Sequence, residues 1–297
     1  MRRIIKYCLF LPVILALSCC QGAFGVDVDA EGPTRFTATI EGGGATKTVL
    51  AAPDAIGVRA VLWSAGDNVV VGSAEYTLSD GAGTTSGTLS GSGAVPEGGV
   101  YKAYYPVEFW NSGSPELRGT LSFAEHVPDR IAHLPMYAQS VSTSLTFRNL
   151  CSVLRIRVTG PCRVTKIIVG SLTAYLSGEV TVSGSDPEWR AAIKPGGANL
   201  SNEVCLDYGT GVSIATTTEF FVPLPPGTYG RGDLTIAVWD GGAAPLKVYR
   251  NDKAPSSGAV LERSKIYQVP SALELGFEEV AWDGRLSATW QEGVNWQ

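Results

Sequence analysis

Residues suited to catalysis and metal binding are scarce in this chain. It has two histidines, His126 and His133, and only Cys151, Cys162 and Cys205 follow the cysteines of its first 20 residues. The histidines stand seven positions apart, not the four that place two ligands on one helix face, and no zinc-type Cys/His spacing occurs. Nucleophile-elbow, P-loop and dinucleotide-binding patterns are also absent. These absences argue against an enzyme, and we predict no catalytic residue, no cofactor and no metal site.

A concentrated basic surface is missing as well. Charged residues make up 17% of the chain, the net charge is -5, and Lys and Arg form no long run. Because phosphate binding needs a basic face, we predict that nucleic acid is not a partner. The chain instead contains 35 glycines and 17 prolines, which supply the backbone angles of turns between short strands. An all-β fold is therefore expected.

The apolar run near the start is too short to cross a membrane. It extends from Cys8 to Ser18, whereas a spanning helix needs about 20 apolar residues. It follows the basic start MRRIIK, which is the layout of an export signal. We therefore predict that residues 1–18 are a signal peptide.

The residues that follow this run indicate lipid attachment. In LALSCC the small residue Ser18 precedes Cys19, and the stretch resembles a bacterial lipoprotein signal, which is cut before a cysteine that carries a diacylglyceryl group. Cys19 is the expected lipidation site and Cys20 is the alternative, while an ordinary secretory signal with unrelated cysteines is a third interpretation. Residues 19–34 are then a tether between the lipid and the fold.

Strand patterns cover most of the remaining chain. FTATIEG, residues 36–42, alternates apolar and polar side chains as a half-buried strand does. Later apolar stretches recur about every 8–12 residues, the spacing of a β-sandwich. About 275 exported residues suggest two domains, and we predict them at 35–142 and 143–276, followed by a Trp-containing tail or strand at 277–297. If the stretches around Gly160-Pro161 form a hairpin, Cys151 and Cys162 lie at opposite ends of its ladder and stay reduced.

A series of short motifs runs through the chain in a fixed order. After the signal and FTATIEG come LWSAGDNVVV, GGVYKAYYP, LPMYA, LTFRNLCSVLRIRVTG, AYLSGEVTV, FFVPLPPGTY, KIYQV and TWQEG. The set resembles the fimbrillin family, the lipoprotein pilins of Bacteroidetes-type surface fimbriae. The first four of these stretches are similar to the family's W-x-x-G-D turn and its Y-x-A-x-Y-P, P-M-x-A and F-x-N-L-x-x-x-L-x-I-x-V segments. The resemblance covers nearly the whole chain.

The resemblance implies two tandem transthyretin-like β-sandwich domains and a structural or accessory subunit of cell-surface fimbriae. Such a subunit is anchored in the outer membrane by its N-terminal lipid, contributes to adhesion, and has other fimbrial subunits and a host or bacterial surface receptor as partners. Assembly is implied to proceed by strand donation. A sandwich that lacks a strand exposes unpaired backbone groups beside an apolar groove, and a strand of the next subunit fills both. Shaft, anchor and tip positions all stay open.

The resemblance also implies cleavage by an arginine-specific protease. Arg59 follows FTATIEG, where a cut would free that strand, and Arg35 precedes it, where a cut would release only the lipid. Both can equally be ordinary exposed side chains. FTATIEG is then the removable or donated strand, and the tail is the swinging or packing strand.

A surface glycan-binding lipoprotein is the competing interpretation. It would need aromatic rings on a flat exposed platform, for which Tyr104, Trp110 and Trp239 are the candidates. The tripeptide Arg231-Gly232-Asp233 is an integrin-binding motif but also ordinary turn chemistry.

Overall fold

The computed structural model describes residues 32–41, 49–50, 61–111, 113–122, 127–129, 134–269 and 274–286. Strands dominate these ranges, which confirms the predicted all-β fold. Within them, helical structure is limited to a 3-10 turn at Val107–Phe109. Over the same ranges, no helix has the length and apolarity that crossing a membrane requires.

Short strands follow one another throughout the described chain. The first half contains β1 Arg35–Ile40, β2 Val49–Leu50, β3 Val61–Leu62, β4 Asn68–Val71, β5 Ala74–Asp80, β6 Ser86–Gly91, β7 Tyr101–Tyr105, β8 Trp110–Asn111, β9 Ser114–Leu117, β10 Thr120–Ser122, β11 Met136–Ser140 and β12 Ser144–Asn149. The second half contains β13 Ser152–Thr159, β14 Cys162–Ser171, β15 Gly178–Ser183, β16 Arg190–Ile193, β17 Glu203–Ile214, β18 Thr217–Leu224, β19 Gly227–Tyr229, β20 Leu234–Trp239, β21 Lys247–Arg250, β22 Ala259–Leu261, β23 Ile266–Val269 and β24 Glu278–Glu279.

Seven strands of the first half form a sheet that closes on itself, in the order β1-β12-β11-β7-β4-β5-β6. β1 completes the closure because it pairs parallel with β12 on one side and antiparallel with β6 on the other. Alternation along the strands turns one set of side chains inward. Phe36, Tyr76, Tyr105 and Phe147 are among these buried residues and pack with Trp63, which follows β3, so the closed sheet has its own apolar core.

The second half stacks two sheets. One has six strands in the order β10-β17-β14-β20-β21-β24, and the other has three in the order β18-β13-β23. Their inward side chains share a core that includes Ile156 of β13, Phe220 of β18, Ile167 of β14 and Ile236 of β20. Two sheets that bury their apolar faces against each other form a β-sandwich.

β13 and β14 do not form the hairpin considered from the sequence. β13 pairs with β18 and β23, whereas β14 pairs with β17 and β20, so the Gly160-Pro161 turn connects the two sheets of the sandwich. Cys151, Cys162 and Cys205 carry free thiols. Burial raises the pKa of Cys151, and it raises the pKa of Cys205 to about 12.

Several elements cross the predicted domain boundary near residue 143. β12 belongs to the closed sheet, although its sequence falls in the predicted second domain. β10 precedes the boundary but pairs with β17. Residues from both sides, such as Tyr104, Tyr137 and Phe221, share another buried cluster, and the described residues belong to one compact unit. The division into 35–142 and 143–276 stays a prediction.

The first part of the tail is packed against the second half. Phe277 belongs to the sandwich core, and β24 pairs with β21 at the edge of the six-stranded sheet. Trp282 and Leu286 then lie on the outer face of that sheet, beside Ile168 and Trp239. The tail after Leu286 lies outside the described residues.

Candidate functional site

Alternating side chains anchor β1 in the closed sheet. Phe36, Ala38 and Ile40 point inward and are each at most 1% exposed. Phe36 contacts the rings of Tyr76 and Tyr101 edge-on, at centroid distances of 5.1 and 5.0 Å. Burial of a large apolar side chain contributes about 1.5–3 kcal/mol. The strand predicted from FTATIEG is therefore a packed part of the core.

Backbone hydrogen bonds hold β1 from both sides. The Glu41 N-H, just after the strand, donates to Phe147 O at 2.8 Å on the β12 side. The Ile40 N-H donates to Thr85 O at 2.9 Å on the side of β6. Because it pairs on both sides, β1 offers no free edge to another strand.

Trp63 lies under β1 and connects several of the sequence motifs. Its indole Nε1 donates to Ala38 O at 3.3 Å. Its ring meets Tyr105 and Phe147 nearly at right angles, at 5.7 and 5.4 Å. The Tyr105 hydroxyl in turn donates to Asp67 of the same W-x-x-G-D turn at 3.1 Å. These motif residues meet in one core although they lie far apart in sequence.

An ionic cluster closes the C-terminal end of β1. The Glu41 side chain is 11% exposed, and its carboxylate accepts hydrogen bonds from Arg263 Nη1 at 2.7 Å and Arg263 Nη2 at 3.1 Å. It also accepts from Ser264 Oγ at 2.8 Å and from the Asn149 N-H at 2.7 Å. Burial alone would lower the pKa of Arg263, but hydrogen bonds and charges from Glu41 and Glu188 outweigh it and raise that pKa.

This cluster was not predicted from the sequence. Glu41 and Arg263 are 222 positions apart, and nothing in the local sequence identifies them as partners. The available signal was the acidic residue placed directly after an alternating strand. Which basic residue it meets depends on how the sheets pack, which a strand pattern does not specify.

The aromatic residues considered for glycan binding do not share an exposed platform. Tyr104 is 8% exposed and its ring lies 4.3 Å from that of Trp110. Burial raises the pKa of Tyr104 to about 12. Trp239 is also 8% exposed, lies in a separate cluster and contacts Trp282 at 5.7 Å. A sugar stacks only on an accessible ring face, so this arrangement does not favour the glycan-binding interpretation.

The predicted processing sites lie at or beyond the limits of the described residues. Cys19, Cys20 and Arg59 fall outside them. Arg35 is the first residue of β1, is exposed, and stands opposite Ser90 of β6. A cut after Arg35 would therefore leave β1 within the fold.

The Arg231-Gly232-Asp233 tripeptide is occupied by contacts within the chain. Asp233 is buried, and its carboxylate accepts hydrogen bonds from Ser171 Oγ at 3.0 Å and Thr173 N-H at 2.9 Å. Arg231 Nε donates to Ala254 O at 2.7 Å. The tripeptide thus builds the turn before β20.

Metal ligands are not clustered in the part of the chain that the structure describes. No group of three or more His, Cys, Asp or Glu side chains there is placed to hold an ion. His126 and His133 lie outside the described residues. The candidate functional site is β1 with the groups that hold it.

Comparisons with known proteins find only distant structural likenesses. No protein-family model matches the chain, and no curated protein does. Among solved structures, a candidate cell adhesion protein from Bacteroides ovatus is 14% identical, with 85% of this chain and 97% of that chain covered and a TM-score of 0.43. One from Bacteroides fragilis is 11% identical, with coverage of 88% and 100% and a TM-score of 0.38. The tip fimbrial protein Mfa3 from Porphyromonas gingivalis, with C-terminal truncation, is 11% identical, with coverage of 84% and 98% and a TM-score of 0.31. Likenesses at this level assign neither a family nor a function to the chain.

Proposed function

We propose that this chain is a structural or accessory subunit of cell-surface fimbriae that joins its neighbours by strand donation and contributes to adhesion. The observation that carries the proposal is the position of β1, which closes the seven-stranded sheet by pairing with β6 and β12 at once. β1 is the strand that gives way, and an extended strand of the next subunit takes its place. The partners are other fimbrial subunits and a surface receptor.

Loss of β1 would create a slot of definite width. Neighbouring strands lie about 4.7–4.9 Å apart, so β6 and β12 would face each other across about 9.5 Å. Both would present unpaired N-H and C=O groups, which template the addition of another strand. The space vacated by Phe36, Ala38 and Ile40 would form an apolar groove beside them. A donated strand would satisfy the backbone groups and fill the groove together.

The C-terminal tail contains a segment whose sequence is similar to that of β1. RLSATWQ, residues 285–291, aligns without gaps with RFTATIE, residues 35–41. Arginine, alanine and the second threonine are identical, and both segments place a large, a small and a large apolar residue at alternate positions. We therefore propose the tail as the donated strand. Leu286 is packed on the six-stranded sheet in this structure, so donation requires it to leave that position.

The N-terminal region accounts for delivery in this proposal. Residues 1–18 direct export, Cys19 or alternatively Cys20 carries the lipid, and residues 19–34 tether the chain to the outer membrane. Cleavage after Arg59 frees β1, whereas cleavage after Arg35 releases the lipid and keeps β1. Mass spectrometry of surface-extracted chain separates these states. A lipidated Cys19 indicates an anchor or precursor, a start at Phe36 a released chain with β1, and a start at Ala60 a chain that has lost it.

A disulfide across β1 tests whether this strand must leave. Thr39 of β1 and Ser86 of β6 are directly paired, with their hydroxyl oxygens 3.5 Å apart. In a Thr39→Cys, Ser86→Cys chain, oxidation would lock β1 in the slot. We expect the oxidised chain to stay monomeric by size-exclusion chromatography and electron microscopy where the wild-type chain assembles. Reduction should restore assembly.

A second disulfide in the same sheet provides the control. Asn68 of β4 and Thr77 of β5 are also directly paired, and neither belongs to β1. An Asn68→Cys, Thr77→Cys chain should assemble whether oxidised or reduced. Assembly of the oxidised β1-locked chain to the same extent as this control would overturn the proposal.

A further inference from the structure

The guanidinium that holds Glu41 is fixed by contacts that do not involve β1. Arg263 Nη1 also donates to Asn149 O at 3.1 Å, and Nη2 donates to Pro187 O at 2.7 Å. Arg263 Nε lies 3.4 Å from a carboxylate oxygen of Glu188. The Arg263 side chain is 15% exposed. Its donors would therefore keep pointing at the end of the slot after Glu41 has left.

Further groups complete the same position. The Asn149 N-H and the Ser264 hydroxyl both point at the Glu41 carboxylate. Arg148 Nη1 lies 3.8 Å from Glu41, and two hydrogen bonds of 2.7 and 3.2 Å to Asp186 orient the Arg148 side chain. A backbone N-H, a hydroxyl and two guanidinium groups thus converge on one place. This donor set suits a carboxylate, which accepts hydrogen bonds and carries the opposite charge.

The chain's own strand and the tail differ at this position. In the alignment of the two segments, Glu41 of β1 corresponds to Gln291 of the tail. A carboxylate accepts two parallel hydrogen bonds from an arginine, and these charge-assisted bonds are stronger than neutral ones. An amide offers one acceptor oxygen, and its NH2 group would face the donors of Arg263. It would also leave the largely buried guanidinium with only the exposed carboxylate of Glu188 as an opposite charge, which is less favourable.

We propose that Arg263, Ser264 and the Asn149 amide form a carboxylate receptor that selects the strand filling the slot and favours β1 over the tail of a second copy. The selected strand has three alternating apolar residues followed directly by a glutamate. The proposal rests on the proposed function. While β1 is present, the receptor protects the slot from premature exchange, and the neutral tail gains the slot once β1 has been removed.

Incorporation of single peptides during refolding tests this selectivity. The purified full chain is unfolded in urea and diluted into an excess of one labelled peptide. The peptides are residues 32–41, residues 283–297, and residues 283–297 with Gln291→Glu. Native mass spectrometry measures the fraction of chain that carries the label. We expect the Gln291→Glu peptide to be incorporated about tenfold more than the natural tail peptide, because it restores the charge-assisted pair.

Two chain variants assign the preference to the receptor. In an Arg263→Met chain the two tail peptides should be incorporated to within about twofold of each other, because the charge-assisted pair cannot form. The matched control is Lys194→Met, which removes a different ion pair, Lys194 to Glu179 at 2.5 Å, between β15 and the end of β16. This control should keep the full preference.

The outcomes separate the receptor from strand donation itself. Equal incorporation of both tail peptides by the wild-type chain would overturn the receptor and leave strand donation standing. Failure of all three peptides, including residues 32–41, when each is supplied above the roughly millimolar effective concentration at which the chain's own β1 competes, would contradict strand exchange and overturn both proposals. The wild-type comparison decides even where Arg263→Met does not fold.

Discussion

The closed sheet and the six-stranded sheet differ in whether they have edge strands. Every strand of the closed sheet has a neighbour on each side, so an edge arises there only when a strand such as β1 leaves. The six-stranded sheet ends in β10, with three residues, and β24, with two. Such short edge strands offer little backbone for pairing. The closed sheet is thus the better place for regulated strand exchange, and the open sheet is shielded from unregulated pairing.

β1 and the similar tail segment, residues 285–291, also differ in the size of the apolar cluster that each one contacts. Phe36 of β1 is buried in the large core of the closed sheet. Leu286, which aligns with Phe36 in sequence, is buried in a small outer cluster with Ile168, Ala237 and Trp239. A small cluster loses less on separation because less apolar surface becomes exposed. The tail is therefore the segment that leaves its position more readily.

The largest expected difference in stability is between variants of two tryptophans, one in each region. Trp63 is completely buried under β1, and Trp63→Ala should reduce the free energy of unfolding by about 3–5 kcal/mol because it leaves a large cavity. Trp282 is partly exposed on the outer face of the six-stranded sheet. Trp282→Ala should cost only about 1 kcal/mol. Urea denaturation followed by far-UV circular dichroism measures both changes.

Equal losses in the two tryptophan variants would break the comparison. They would mean that the outer cluster contributes as much as the core of the closed sheet. Trp63→Phe provides an intermediate control, since it keeps an aromatic ring but removes the hydrogen bond to Ala38 O. It should be less destabilising than Trp63→Ala.

The sequence predicts β1 well because alternation alone defines a half-buried strand. Phe36, Ala38 and Ile40 point inward as FTATIEG indicates. The pattern does not say which strands lie beside it, since any exposed edge satisfies its backbone. Closure by β6 and β12 is a property of the whole sheet. The ionic partner of Glu41 is likewise outside the reach of a local pattern, because Arg263 comes from the distant turn before β23.

The β13–β14 region shows that a correctly predicted turn does not establish which strands pair. Two strands joined by a Gly-Pro turn resemble a hairpin in sequence, because short turns usually join paired strands. Here both strands are apolar enough to lie in the sandwich, and each pairs with strands of its own sheet. Turn chemistry predicted the position of the chain reversal. It could not predict whether the strands pair or pack face to face.

A smaller loss of stability is expected when Leu286, which packs the tail against the six-stranded sheet, is shortened. Leu286→Ala should lower the free energy of unfolding by about 2 kcal/mol, the low end for a buried leucine, because the apolar cluster around Leu286 is small. Hydrogen-exchange mass spectrometry should show faster exchange in residues 277–286 and unchanged exchange in β1. This outcome would sharpen the comparison by showing that the tail opens independently of the closed sheet.

An exposed leucine is the matched control for that variant. Leu246 is 43% exposed, so Leu246→Ala should change the free energy of unfolding by less than about 0.5 kcal/mol. If Leu286→Ala accelerates exchange in β1 as much as in the tail, the two regions open together. The tail then could not leave its position while the closed sheet stays intact.

The smallest effects should come from two ion pairs whose carboxylates are exposed, one on each sheet. Arg148 of the closed sheet bonds Asp186, whose side chain is 61% exposed, and Lys247 of the six-stranded sheet bonds Glu279 at 2.9 Å. Asp186→Asn and Glu279→Gln should each cost about 0.5 kcal/mol at pH 7, as exposed pairs do. Similar losses would mean that the two sheets differ in stability because of burial and strand pairing, and not because of surface charge.

The pH dependence of the Asp186 variant checks the origin of its effect. The hydrogen bond from Arg148 lowers the pKa of Asp186 below its ordinary value. A carboxyl group with a lowered folded-state pKa stabilises the fold above its unfolded-state pKa, near 3.9, and loses that contribution as the pH falls through the folded-state pKa. The difference in unfolding free energy between wild type and Asp186→Asn should therefore be constant from pH 7 to about pH 5 and shrink below about pH 4. Added salt should reduce it at pH 7 because the Asp186 side chain is 61% exposed and therefore accessible to ions. If Asp186→Asn instead lowers the free energy of unfolding by more than about 2 kcal/mol and the loss persists in acid, packing around Asp186 stabilises the closed sheet and the ion pair does not.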